Sequence, residues 1–320
     1  MKLALIGYGK VGRAFARLLE ARRAVFPFRI TGIHTRRHGT AIALHGLPLE
    51  PDFGPPAASV DAFLAASRAD IMVELTPLDP RSGEPAISHI RAAFARGMHV
   101  VTANKGPVAF AYAALREQAR QANLEFRHEA VTMDGAPLYN LVRNNLPGVT
   151  VLGFAGALNS TSGVIVDLML EGRTLEQGIL EAQRRGIAEA DPWFDVDGWD
   201  SAAKAAALAN VLMDARLTPM DVDRKGIGRL TPSRLIEIDR SGKRVVLVSR
   251  GRKTRDGVKL RVRAEVLDKE SVLAAARGAS NVLLLDTDLM GQLGVFSLNP
   301  GLAQTAYGLF ADVVDIARSL

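Results

Sequence analysis

The sequence predicts an α/β protein in which a doubly wound parallel sheet over residues 1–134 precedes an α+β domain over 135–299, with a helix in 300–320 returning to the first domain. Three observations carry this expectation. A glycine turn separates an apolar strand from an amphipathic helix at the N-terminus, strand and helix patterns then alternate, and after residue 134 longer helices mix with antiparallel-looking strands.

Taken in order, LALIG is a buried-strand run, and Val11, Ala14, Phe15, Leu18 and Leu19 recur at helical spacing behind it. FRITGIHT, DIMVELTP and HVVTANK read as the following strands, with a helix from Pro85 to Arg96 between the last two. A helix from Tyr112 to Gln121 leads into LEFRHEAV, the last strand expected in this unit. In the second domain, helices are expected over Leu138–Asn145, Gly163–Glu171, Leu175–Gly186 and Ser201–Ala215, and strands over Val149–Ala157, Val245–Val248 and Lys259–Val266. Ser241, Gly242, Arg250, Gly251, Asp256 and Gly257 punctuate that region like turns of a solvated hairpin. The helix Ala303–Arg318 closes the chain.

A chain of 320 residues with 48% hydrophobic content suffices for two cores. Its apolar runs stay below the roughly eighteen residues that span a bilayer, and the first strand runs into a glycine turn instead of a cleavage site. With no cysteine, disulfides, thiolate metal sites and cysteine nucleophiles are excluded, and a cytoplasmic location with no membrane partner is expected. Much of the net charge of +6 lies in Arg36, Arg37 and the stretch Arg240–Arg263, which has no aromatic residue to stack a base, so no nucleic-acid partner is expected.

GYGKVG stands directly between strand and helix, the context that a dinucleotide-binding Rossmann domain requires. Gly7 allows the tight turn, Gly9 lets the backbone approach a pyrophosphate and Gly12 permits close packing, while Lys10 and Val11 open the helix whose N-terminus favours negative charge. Where an NAD-selective strand would end in a carboxylate, this one ends in His34, Thr35, Arg36 and Arg37. Two guanidiniums suit a 2′-phosphate, so NADP is preferred and NAD possible; a basic surface loop tolerating either cofactor is the alternative.

Lys105 follows the HVVTAN strand at its carboxyl end, where open α/β sheets bind ligands. The stretch AEADPWFDVDGWDSAAK gathers Glu189, Asp191, Asp195, Asp197 and Asp200, with Lys204 at i+4 from Asp200. A surface ion pair or a calcium-like acidic loop would read the same. Trp193, Phe194 and Trp199 among these carboxylates argue instead for a partly desolvated cluster in which a lysine can be tuned.

In order, GYGKVG, VELTP, VTANKGPVA, EAVTMDGAPL, GALNSTS, GIAEADPWFDVDGWDSAAK and NPGLAQTAYGLFADVV resemble the homoserine dehydrogenases over essentially the whole chain. The resemblance implies a second domain that is both catalytic and dimerising, and NAD(P)-dependent reduction of L-aspartate 4-semialdehyde to L-homoserine, a step towards threonine and methionine. It implies that Lys105 and Lys204 are catalytic and flank the substrate, with Lys204 as acid and base, and that Glu189, Asp195 and Asp200 bind substrate. Thr76, Pro77, Ala103, Asn104 and Gly301 join Lys105 along the cofactor. Glu129, with backbone carbonyls near Thr132, Asp134 and Ala136, resembles the family's monovalent-cation loop. A homodimer of the short form, without a C-terminal regulatory domain, is expected. Ser160, Ser162 and Gly163 depart from the commoner pattern GxxNGTTNYIL, which keeps a paralogous dehydrogenase for another small amino- or hydroxy-acid semialdehyde open, and a non-catalytic NADP-binding sensor is the reading from another class.

Overall fold

The computed structural model describes residues 1–185, 187–188 and 191–320, which divide into two compact units, residues 1–140 with 301–320 and residues 141–300. The first unit holds a six-stranded sheet. Its strands are β1 (Lys2–Ile6), β2 (Arg29–Thr35), β3 (Gly39–Ile42), β4 (Ile71–Glu74), β5 (His99–Thr102) and β6 (Phe126–Arg127), in spatial order β3-β2-β1-β4-β5-β6. All neighbours run parallel except β3, an edge strand that turns back on β2. Four helices follow strands in this unit, α1 (Lys10–Ala21), α2 (Val60–Ser67), α3 (Ala86–Ala95) and α4 (Lys105–Gln121). The strand order reverses between β1 and β4, and this is where such a sheet forms its ligand crevice.

The expected terminal helix is α10 (Leu302–Ser319), and it does pack within the first unit. Ala306, Leu309, Phe310, Val313 and Ile316 form one stripe, buried against Leu3, Leu5, Phe15 and Leu19. Each large member of that stripe contributes about 1.5–3 kcal/mol by burial. Polar contacts fix the register: buried Asp312 accepts the Glu129 N–H at 2.7 Å, and Arg127 donates to Asp315 at 2.9 Å. The segment 135–140 stays with this unit because the Glu129 carboxylate accepts the amides of Leu138, Tyr139 and Asn140 at 2.6, 2.7 and 2.6 Å. Those same contacts replace much of the expected Leu138–Asn145 helix, of which Leu141–Asn145 forms one π turn, and LEFRHEAV keeps only β6 before a 3₁₀ turn at Glu129–Val131. The helix α4 begins at Lys105 instead of Tyr112, because Asn104 caps it and Pro107 sits in the first turn, where no N–H is needed.

The second unit builds a sheet in the order β12-β11-β7-β9-β10-β8 from β7 (Val151–Ala157), β8 (Asp223–Arg224), β9 (Lys243–Thr254), β10 (Gly257–Asp268), β11 (Asn281–Thr287) and β12 (Gln292–Ser297). Its pairings are antiparallel apart from the short β8–β10 contact. Its helices are α5 (Ser160–Leu170), α6 (Leu175–Arg184), α7 (Trp193–Val196), α8 (Trp199–Leu212) and α9 (Pro232–Arg240). The turn expected at Arg250 and Gly251 is absent, and β9 runs straight through it. Gly251 serves packing there: a Cβ would lie 2.2 Å from the Phe154 ring on β7. The strand β3, the helices α2 and α9, and the strands β11 and β12 are additional to the expected elements. No helix among the described residues is long and apolar enough to cross a membrane.

Candidate active site

In the first unit, the chain leaves β1 at the strand-order reversal through Gly7, whose φ of +100° suits glycine. A Cβ there would stand 2.7 Å from the Leu75 carbonyl oxygen. Gly9 differs. It caps α1 with ordinary extended angles, φ −80° and ψ −157°, and a Cβ on it would meet nothing within 4 Å. Neither conformation nor packing requires glycine at that position, so the missing side chain leaves the first amides of α1 open, a donor set and a cradle that fit a pyrophosphate. A Cβ on Gly12 would lie 3.2 Å from the Gly7 oxygen, so its role is close packing; Lys10 is exposed and Val11 half-buried.

At the end of β2, Thr35 is buried and accepts the His38 N–H at 2.8 Å, shaping the turn on which Arg36 and Arg37 stand exposed. Neither arginine has an ion-pair partner among the described residues. At the end of β4, fully buried Glu74 accepts from the Thr76 hydroxyl at 2.6 Å and the Thr76 N–H at 3.2 Å, and His89 Nδ1 lies 3.2 Å away. Asn104 donates to the carbonyls of Thr76 and Pro77 at 2.9 and 3.2 Å, while its Oδ1 accepts the Gly106 N–H at 2.9 Å. The ends of β4 and β5 are therefore stitched together, and Ala103 joins β5 to Asn104. Lys105 is half-buried in the first turn of α4. Glu74, which holds this stitch from beneath, was absent from the set expected from sequence, because a carboxylate inside an apolar strand gives no local sign of its partners. Gly301 caps α10 in the same unit, its N–H donating to Gln304 at 3.0 Å.

Glu129 is buried, and both its carboxylate oxygens accept backbone amides. Thr132 and Ala136 flank a turn in which Asp134 has φ +53°. Any ion in this loop would have to be held by backbone oxygens, since the carboxylate is engaged. No group of three or more His, Cys, Asp or Glu side chains suited to a metal exists among the described residues.

In the second unit, Gly198 in a left-handed conformation starts α8 at Trp199, placing Asp200 in the first turn and Lys204 one turn on. Lys204 Nζ lies 3.0 Å from Asp200 Oδ2 and donates to the Leu158 carbonyl at 2.5 Å. The two side chains are 14% and 11% exposed, which decides against the surface-pair reading. An exposed i,i+4 pair contributes about 0.3–0.5 kcal/mol, whereas removing one partner of a buried pair costs about 3–5 kcal/mol.

Asp195, from α7, joins the cluster through Asn159. The Asn159 amide donates to Asp195 Oδ1 at 2.6 Å and to Asp200 Oδ2 at 2.9 Å. Burial pushes the Asp195 carboxyl above the usual carboxylate range, the neighbouring Asp200 charge adds to that, and the Asn159 hydrogen bond and Lys204 oppose it. Sequence reasoning missed Asn159; an Asn before Ser-Thr-Ser at a strand-to-helix junction signals a cap and nothing more.

Of the remaining acidic stretch, Asp191 and Asp197 are exposed, Trp193 is 51% exposed, and Glu189 lies outside the described residues. Trp199 supports the Arg224 guanidinium on its ring face at 3.7 Å, and Arg224 donates to the Asp197 carbonyl. The departures in NSTSG pack among themselves and their neighbours. Ser160 donates to the Ala279 carbonyl at 2.8 Å, Ser162 to the Asp195 carbonyl at 3.3 Å, and a Cβ on Gly163 would lie 3.0 Å from the Gly278 oxygen.

Comparison with known proteins agrees with this layout. The model of the homoserine dehydrogenase NAD-binding domain matches residues 7–129, and that of homoserine dehydrogenase matches residues 137–314. The chain is 35% identical to the NAD(+)-dependent homoserine dehydrogenase of Pseudomonas canavaninivorans, over 99% of this chain and 96% of that one. It is 34% identical to the homoserine dehydrogenase of Methanocaldococcus jannaschii, over 100% of this chain and 99% of the relative. Among solved structures, a putative homoserine dehydrogenase from Archaeoglobus fulgidus superposes with a TM-score of 0.87 at 26% identity, covering 99% of both chains. With both domain models matched and relatives of this identity aligned end to end, the chain belongs to the homoserine dehydrogenase family, NAD-binding oxidoreductases that reduce L-aspartate 4-semialdehyde to L-homoserine.

Proposed function

We propose that this chain interconverts L-aspartate 4-semialdehyde and L-homoserine with Lys204 as the proton-transferring group and NADP as the preferred cofactor. The observation that carries the role of Lys204 is its shielded amine, held between Asp200 Oδ2 and the Leu158 carbonyl. The nicotinamide, when bound, supplies the hydride that reaches the aldehyde carbon. Negative charge then builds on the aldehyde oxygen, and the Lys204 ammonium stabilises it and delivers the proton; in homoserine oxidation the neutral amine takes that proton back. Asp195 and Asp200, with Glu189, hold the substrate ammonium, and Lys105 orients the substrate carboxylate or assists the proton transfer.

On the cofactor side, Gly7, Gly9, Lys10, Val11 and Gly12 are assigned to the pyrophosphate, Thr35, Arg36 and Arg37 to the ribose end, and Thr76, Pro77, Ala103, Asn104 and Gly301 to the nicotinamide end. NADP preference rests on the missing carboxylate at the end of β2 and on two exposed guanidiniums there. The NAD(+) dependence of the Pseudomonas relative favours the second reading, in which NAD serves as well. Backbone oxygens of Glu129, Thr132, Asp134 and Ala136 are the assigned holders of a monovalent cation. A homodimer through the second unit is supported by the exposed apolar side chains of Leu289, Met290, Phe296 and Leu298 beside the edge strand β12. Initial rates of homoserine oxidation with NADP and with NAD test the whole reading. Turnover is expected with both and a lower KM with NADP; no turnover with either rejects it.

A further inference from the structure

We propose that Asn159 is a positioning residue for Lys204, an inference that rests on the role given to Lys204 above. Asn159 stands where β7 ends, and it is 8% exposed, so water does not replace its contacts. A primary amide offers two N–H groups and an acceptor oxygen. Here the nitrogen serves Asp195 Oδ1 at 2.6 Å and Asp200 Oδ2 at 2.9 Å, and the oxygen accepts the Ser162 N–H at 2.7 Å to cap α5.

Two consequences follow from that arrangement. A neutral donor between two carboxylates favours the ionised form of each without placing another charge beside the lysine. Asp200 Oδ2 also receives Lys204 Nζ at 3.0 Å, so the amide that fixes this oxygen fixes one acceptor of the amine. The preceding residue supplies a second acceptor, the Leu158 carbonyl. A two-residue strand end thereby sets two of the contacts of Nζ. Charged groups facing this region include Asp195 on α7, Asp200 and Lys204 on α8, and Arg244 on β9, which lines a cavity with Asn159 and pairs with Asp167 of α5 at 2.7 Å.

A purely structural role as the cap of α5 makes a different prediction, because Asp and Ser cap helices about as well as Asn. Asn159→Asp keeps the cap but replaces the donor with a third carboxylate, which favours the ammonium form of Lys204. In homoserine oxidation, the limb of kcat that rises as Lys204 loses its proton should move about one unit towards higher pH, and kcat should fall on the order of a hundredfold. Asn159→Ser keeps the cap but is too short to reach either carboxylate, and kcat should fall about tenfold with the KM for NADP unchanged.

Wild-type kcat and an unmoved pH limb in both variants would overturn the inference while leaving the dehydrogenase reading intact. If Asn159→Asp does not fold, by its unfolding midpoint and NADP binding, Asn159→Ser decides alone. A wild-type protein without homoserine turnover, or a Lys204→Ala variant of undiminished rate, overturns the role of Lys204 and this inference with it.

Discussion

The glycine turn of the first unit and the acid–lysine cluster of the second answer the demands of binding in opposite ways. Around Gly9 the chain leaves space: a Cβ would touch nothing, and the nearby Arg36 and Arg37 stand exposed. Around Lys204 the chain fills space, with an amine, two carboxylates, an amide and a carbonyl meeting in buried and part-buried hydrogen bonds. A surface made from omitted side chains can be spoiled without harming the fold, whereas a buried charge cluster ties chemistry to stability. The sharpest test removes the amine. Lys204→Ala should lower kcat for homoserine oxidation on the order of a thousandfold, as general acid–base catalysis contributes about 10²–10⁴-fold, with the dissociation constant for NADP little changed. Stopped-flow binding beside steady-state rates separates the two quantities, and a loss confined to NADP affinity would place Lys204 in the wrong region.

The next effect compares two glycines of the same turn. Gly9→Val introduces a side chain where the chain has room and where φ is ordinary, so the unfolding midpoint should hold while the KM for the nucleotide rises about ten- to a hundredfold. Gly7→Ala should lower the midpoint as well, since its φ is +100° and the Leu75 oxygen stands in the way. Equal thermal losses in the two variants would erase the contrast between an omitted side chain and a required turn.

What could be read beforehand follows the same division. The nucleotide turn is six consecutive residues in a strand-to-helix setting, so its glycines were legible locally, and so was α10 from the spacing of Leu309, Val313 and Ile316. Asn159 and Asp200 lie far apart in the sequence, and their meeting depends on β7 ending beside α8 in a unit of mostly antiparallel pairing. No local pattern encodes such a contact. The burial of Glu74 and the amide cradle of Glu129 were hidden for the same reason. The β9 strand misled because Arg250–Gly251 has the composition of a turn, and only the Phe154 ring on the neighbouring strand explains the glycine.

The guanidiniums sharpen the comparison further, since exposed groups should govern cofactor choice without touching the acid–lysine chemistry. Replacing both, as Arg36→Ala with Arg37→Ala, removes charge-assisted hydrogen bonds to a 2′-phosphate that contribute about 1.5–3 kcal/mol each when well formed. On an exposed turn solvent screening cuts each contact to about 0.7 kcal/mol, and the KM for NADP should rise about tenfold while that for NAD stays put. An equal rise for both cofactors would assign these arginines to the shared part of the nucleotide.

The smallest effect concerns the stability that the cluster withholds. Burial and the Asp200 charge raise the Asp195 pKa in the folded state, so the native protein binds this proton more tightly than the unfolded chain does. Stability contributed by this group is full below the ordinary carboxylate range and declines as pH climbs through the raised value, so Asp195 is a net cost to the fold at neutral pH. Asp195→Asn retains an oxygen to accept the Asn159 amide and removes the charge. At pH 7 its unfolding midpoint should exceed that of the wild type by about 2–4 °C, the shift expected for roughly 1 kcal/mol in a domain of this size. The gap should close as pH falls below the ordinary carboxylate value, while homoserine turnover drops because the substrate ammonium loses a partner. A variant less stable than the wild type at neutral pH would mean that the Lys204 and Asn159 contacts outweigh the cost of burying the charge, and the cluster would then be stabilising as well as reactive.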